Sequence, residues 1–290
     1  MKPLDQQLEH EIEDGKEMTF LEHLEELRWH LIRAVGSIAV FALIAFVFIR
    51  TIYDKIILAP SKPDFWTYRM MCELSKKTGY ADLCVSQLNF TLQSRQMAEQ
   101  FTMALTSSLM IGLIGAFPYA FYEVWKFIAP GLRSSERRAA RGAVFYVTAL
   151  FLMGVLFGYY IVSPLAINFL ANYQLDPRIV NEFDISSYIG TLATLTLGCG
   201  LTFQMPIVAF VLSKIGFLTP AFMKEYRRHA FVVILIVAAI ITPSPDIYSQ
   251  ILVSIPLALL YEVSIWVSGY VERLRLKESQ EMMERGEYDD

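Results

Sequence analysis

Histidine and cysteine are scarce in this chain, at four and three of 290 residues. His10, His23, His30 and His229 form no pair at the spacing of a helical zinc site, and Cys72, Cys84 and Cys199 add no metal-ligand spacing. No metal or cofactor is expected. A phosphate-cradling Gly-rich loop and a G-x-S-x-G elbow are also lacking, so nucleotide hydrolysis and serine-esterase chemistry have no support and an enzyme is not expected. Charge is sparse at 19%, and the net −4 is the small remainder of 25 basic and 29 acidic residues, which points to no nucleic-acid partner. The acidic, polar beginning lacks the basic start, short apolar run and small-residue cleavage site of a secretory signal. The first apolar span is therefore expected to stay in the mature protein.

What the chain has in abundance is apolar surface. The hydrophobic fraction is 54% and the mean hydropathy +0.40, the profile of a polytopic membrane protein. A span needs about 20 mostly apolar residues to cross about 30 Å of hydrocarbon. Segments 29–49, 100–122, 142–163 and 188–212 meet or approach that length, and shorter ones at 230–242 and 247–261 form a tight hairpin about Pro243-Ser-Pro-Asp246. The fold expected is an all-α membrane protein with six transmembrane helices, the fifth and sixth short. Residues 1–28 form an N-terminal segment, 29–270 the membrane domain, 50–99 a long outside loop and 271–290 a tail. Even span number puts both termini on one side. Seventeen of the 25 Lys and Arg residues fall on that side, which makes it the cytoplasm. Seven of the other eight lie between Arg50 and Arg95, a local departure from the charge rule.

Just before the first span runs Thr19-Phe-Leu-Glu-His-Leu-Glu-Glu-Leu-Arg28. Thr19 and Glu22 have the form of a capping box, so a helix is expected to begin there. Glu25 and Glu26 follow Glu22 by three and four residues on one face, and such neighbouring like charges invite a cation. Taken alone, they would only solvate an amphipathic helix. A second acidic site, Glu136, follows Pro130-Gly131 in a loop on the same membrane side, which also carries Glu123 and Phe127. Carboxylates that converge from separate segments suit a ligand bearing two guanidinium groups, because Arg binds carboxylate bidentately and stays charged.

Polar side chains within spans are costly and default to functional hypotheses. Gln204 lies two residues before Pro206, where a side-chain amide and a freed carbonyl are suited to a partner helix or to their own bundle. Glu262 ends the sixth span as a hydrated interfacial group, and Asp246 with Gln250 opens it, near a helix N-terminus that favours the carboxylate. Cys72 and Cys84 can close a disulfide in an oxidising outside compartment, with two free thiols as the alternative. Cys199 reads as a small packing residue.

These residues carry a family resemblance. His23-Leu-Glu-Glu-Leu-Arg28, Ala59-Pro60, Val124-Trp-Lys-Phe-Ile-Ala-Pro-Gly-Leu132, Glu136-Arg-Arg138, Ser163-Pro-Leu165 and Thr242-Pro-Ser-Pro-Asp-Ile-Tyr-Ser-Gln250 together resemble the TatC family, the multispanning receptor subunit of the twin-arginine translocase. The resemblance runs from about Phe20 to Tyr270. It implies a concave, cup-like bundle in the bacterial cytoplasmic (inner) membrane that captures the Arg-Arg motif of Tat signal peptides. It implies work with small single-span TatA and TatB-type subunits, a homo-oligomer within the receptor complex, and export of folded proteins driven by the proton gradient. By position, Glu26 and Glu136 match the family's two recognition carboxylates and Phe127 an aromatic beside them, with Arg28 and Glu123 flanking. Gln204 stands where several relatives carry Glu, and Thr242, Asp246, Gln250 and Glu262 join it as intramembrane polar contacts. Pro60, Pro118, Pro164 and Pro206 are expected to be structural. The rival class is a secondary transporter or channel, which calls for paired broken helices; Gln204 with Pro206 supplies one such element.

Overall fold

Long apolar runs in lipid must satisfy their own backbone, and helices do so within one segment. The computed structural model describes residues 20–79, 84, 88, 90–128, 134–176, 178–242 and 247–284. Thr19, Pro130, Gly131, Pro243 and Asp246 lie outside the described residues, as do the side chains of Glu22 and Glu136. Among the described residues, α1 spans Phe20–Val47 and α2 Ile49–Ile52, followed by a π-turn at Tyr53–Ile57, a 3₁₀ turn at Ala59–Ser61 and α3 at Trp66–Thr78. Then come β1 (Thr91–Gln93), α4 (Glu99–Ile128) and α5 (Ser134–Phe157), which continues through a π-turn at Gly158–Val162 into α6 (Ser163–Asn172). The remainder is β2 (Glu182–Asp184), α7 (Ile185–Thr202), α8 (Met205–Ile215), α9 (Pro220–Glu225), α10 (Arg227–Ile241) and α11 (Ile247–Glu284).

Five stretches are long and apolar enough to cross a membrane: Glu25–Val47, Glu99–Phe127, Val144–Asn172, Ile185–Ile215 and Gln250–Lys277. With α10, which at 15 residues is as short as expected, they correspond to the six segments read from the sequence. Two boundaries differ from expectation. The third stretch does not end at Ser163-Pro164, because Pro164 sits in the first turn of α6, where its missing N–H costs nothing. The sixth helix is not short but 38 residues long, with Pro256 inside it. Glu262 does not end it: that carboxylate lies 2.6 Å from the Arg227 guanidinium of α10, and Ile265 and Val271 keep the helix packed beyond.

Close approach of α1 to α4 depends on Gly112, where an added Cβ would stand 2.6 Å from the backbone nitrogen of Ala42. The main core gathers Val162, Leu195, Ala238, Val253 and Leu257 from α5 to α11. At Phe203-Gln204 one helix gives way to the next. Pro206, buried in the first turn of α8, has no N–H to continue the α7 ladder.

The ends of the spans opposite Glu26 are heavily cross-tied. β1 pairs in parallel with β2, Thr91 against Glu182, so the loop after α1 is stitched to the loop after α6. Such three-residue strands were not expected. Glu99 opens α4 and accepts from the backbone N–H of Arg95 at 2.8 Å and of Ser186, in α7, at 3.4 Å. Helix ends leave carbonyls without partners, and here tyrosines supply them: Tyr159 donates to Ile56 at 2.7 Å and Tyr188 to Ile57 at 2.8 Å. Tyr68 of α3, fully buried, donates to the carbonyls of Pro60 (3.1 Å) and Pro164 (2.8 Å). Burial pushes its hydroxyl pKa up, so it remains a donor. Cys72 and Cys84 are joined by a disulfide, and α3 closes on Gly79, whose φ of +79° suits the residue.

Candidate functional site

Helical spacing decides which side chains of α1 share a surface. Glu26, His30 and Arg33 stand at i, i+4 and i+7, one stripe of the helix. α4 meets that stripe near its own end, where Tyr119, Glu123, Lys126 and Phe127 recur at similar intervals. Between the two lies an open cleft of about 410 Å³ lined by Glu26, Trp29, His30, Arg33 and Lys126.

The wall beneath the cleft is a buried polar pair. His30 Nδ1 lies 2.6 Å from Glu123 Oε2, and the two residues are only 6% and 4% exposed. Arg33, half exposed, stands 4.0 Å from the same carboxylate oxygen, and Tyr119 is a further hydrogen-bond partner of Glu123. Buried charge is tolerated only when paired and hydrogen-bonded, and Glu123 has such partners. Phe127 packs near His30 with ring centroids 6.4 Å apart.

Glu26 differs from Glu123 in both respects. It is partly exposed at the cleft edge, and among the described residues no cation is paired with it. Glu123, expected to flank the site, does not line the cleft: it is buried behind it and already engaged. By partly offsetting Arg33, it leaves Glu26 as the available negative charge beside Trp29. Arg28 is exposed and is not among the cleft-lining residues. Glu136 lies in the first turn of α5, whose helix begins at Ser134. His30, Arg33, Trp29 and Lys126 were not singled out from the sequence. The i+4 and i+7 spacing from Glu26 was the signal that could have found the first two.

The other expected polar positions are held within the bundle. Gln204 Nε2 donates to the carbonyls of Val147 (3.3 Å) and Gly200 (3.5 Å), so its amide is used internally rather than offered to a partner helix. Its Oε1 is buried without a hydrogen-bond partner among the described residues. Thr242 Oγ1 donates to Ala238 O at 2.9 Å, and Gln250 Nε2 to Leu235 O at 3.1 Å, tying α11 to α10. Pro60 and Pro164 offer the carbonyls that Tyr68 uses, and Pro118 lies inside α4.

The family model of the Sec-independent protein translocase protein TatC matches residues 22–256. The chain belongs to the TatC family. A TatC protein of Blattabacterium sp. subsp. Periplaneta americana is 41% identical over 262 residues, covering 90% of this chain and 98% of that protein. A TatC of Helicobacter pylori (strain J99) is 35% identical, covering 86% of this chain and 88% of that protein. A crystal structure described as the twin arginine translocase receptor TatC, in DDM, superposes with a TM-score of 0.68 at 32% identity, covering 85% of this chain and 99% of the other. This TatC family member thus belongs to a family of protein translocase components, and its long apolar helices fit a multi-pass membrane protein.

Proposed function

We propose that this chain is the receptor that binds Arg-Arg signal peptides at the Glu26 end of its spans and, with small single-span TatA and TatB-type subunits, exports folded proteins on the proton-motive force. Both termini then face the cytoplasm, α10 serves as the fifth of six spans, and the membrane is the bacterial inner membrane. The observation that carries the reading is the open Glu26 carboxylate, with no cation at ion-pair distance among the described residues, in an aromatic-edged cleft above a buried Glu123–His30 pair that fixes the wall behind it. Charge-assisted Arg–carboxylate bonds are short and directional, so one guanidinium meets Glu26 while Glu136, entering from α5, takes the second. Trp29 and the adjoining apolar faces of α1 and α4 receive the apolar stretch of the peptide.

The test is affinity for a Tat signal peptide in the full chain carrying Glu26→Ala together with Glu136→Ala. Loss of two charge-assisted contacts, at about 1.5–3 kcal/mol each, predicts at least a 100-fold drop. Unchanged affinity would sink the assignment. An Arg-Arg to Lys-Lys peptide should lose binding to the unsubstituted chain, because Lys cannot make the bidentate pair.

A further inference from the structure

The basic residues of the loop after α1 sit, against the usual charge rule, at the opposite ends of the spans from the Glu26 cleft, and the proposed function makes no use of them. Three of them, Arg69, Lys76 and Lys77, lie on α3 and are exposed. Along the same exposed side run Trp66, Met70 and Leu74, spaced i, i+4 and i+8, at 46%, 52% and 51% exposure. The reverse side is fixed in place. Tyr68 is fully buried and bonded to Pro60 and Pro164, Thr67 Oγ1 donates to the Tyr160 carbonyl, and Phe65 stacks on the Tyr160 ring at 5.6 Å. The apolar stripe thus cannot roll inward to hide.

It also does not end at α3. Trp66 meets the Tyr160 ring edge-on at 5.9 Å, and together with Met153, Leu156, Phe157 and Ile161 these two rings line a groove of about 510 Å³. Met153 and Leu156 belong to the stretch that crosses the membrane, and Met153 is seven residues, about 10 Å at 1.5 Å per residue, deeper along the helix than Tyr160. The groove is therefore continuous with the lipid-facing wall, and α3, which borders it at Trp66, carries the exposed cations Arg69, Lys76 and Lys77 with one acid, Glu73, among them.

We infer that α3 and the end of α5 form a binding site for an anionic phospholipid in the leaflet opposite the Glu26 cleft. One acyl chain lies in the Trp66–Met153 groove, and the headgroup phosphate is held by Arg69, Lys76 and Lys77. An amphipathic helix with aromatic and aliphatic residues on one side and cations at its edge lies in the membrane interface, and its cations prefer anionic lipid. Long basic side chains keep their stems on the apolar surface while the charge reaches the phosphate. The charge departure in this loop is then a lipid-binding feature.

The full chain, reconstituted in nanodiscs holding equal phosphatidylglycerol and phosphatidylcholine and released for native mass spectrometry, should retain phosphatidylglycerol at least about 3-fold over phosphatidylcholine. Arg69→Gln with Lys76→Gln and Lys77→Gln should remove that preference, and Trp66→Ser with Met70→Ser should lower retention of both lipids. Independently of any folding loss in these variants, phosphatidylglycerol spin-labelled on its acyl chain should quench unsubstituted protein measurably more than Trp66→Phe. Equal retention of the two lipids by the unsubstituted chain, or quenching that is the same with and without Trp66, would overturn the proposal. So would variants that keep their lipid but lose co-purifying single-span subunits, since the surface would then dock protein.

Discussion

The two ends of the spans are built by different means. At one, Glu26, Trp29 and Lys126 border an open cleft backed by the buried His30–Glu123 pair, and among the described residues the further ties there run between the later helices, Tyr261 to the Met223 carbonyl, Ser213 to Ser268 and Arg227 to Glu262. At the other, a disulfide, a parallel strand pair, four bonds from three tyrosines to carbonyls and the Glu99 carboxylate brace the loop after α1 and tie it to the loop after α6 and the start of α7. Local stability follows the density of such ties. The contrast is between an end sealed from loop to loop and one that keeps an open cleft between α1 and α4.

That contrast can be broken by variants that act on one end and are read at both. The largest effect is expected from Tyr68→Ala, which removes a fully buried aromatic ring and leaves the Pro60 and Pro164 carbonyls unpaired. It should cost about 3–5 kcal/mol of unfolding free energy in detergent, with signal-peptide affinity unchanged in the fraction that folds. A parallel loss of affinity would show that the two ends are not separable. Next is the disulfide: Cys72→Ser with Cys84→Ser should lower stability by about 3 kcal/mol in the loop-entropy model, a shift visible as a fall in thermal midpoint that added reductant reproduces in the unsubstituted chain. The smallest stability effect, and the one that sharpens the contrast, belongs to Glu123→Leu. It strands His30 without its partner at about 1–3 kcal/mol and frees Arg33 to compete for Glu26. Peptide affinity should therefore fall even though Glu123 itself is out of a ligand's reach. Unchanged peptide binding by calorimetry would show that the buried pair does not set the charge of the cleft.

Much of this architecture was legible in the residues. Apolar length located the five stretches long enough to cross a membrane and the shorter α10, and the motif at residues 23–28 pointed to the helix end where the cleft lies, because charge beside a long apolar run is easily seen. What escaped notice depended on contacts distant in sequence. The Glu123–His30 pair joins residues 93 apart, and nothing local distinguishes a buried glutamate from an exposed one. The strands are three residues each, too short for alternation to register. The sequence places span ends at Ser163, before Pro164, and at Glu262, because a proline and a charge usually stop an apolar run. Here the first falls in a helix's first turn and the second finds a cation on α10. Gln204 was legible as unusual but not in direction, since its amide turns to carbonyls of its own bundle.

The Arg227–Glu262 pair has a bearing on the lipid itself. Trp266 and Tyr270, exposed on the same long helix, are the residue types that sit at the level of headgroups, yet Glu262 lies one turn nearer the midplane than Trp266 and two turns nearer than Tyr270, about 6 and 12 Å at 1.5 Å per residue. An ion pair about 40–46% exposed at that depth needs water. Beside α10 the polar boundary therefore follows the ion pair rather than the aromatic rings, one to two helical turns lower along α11.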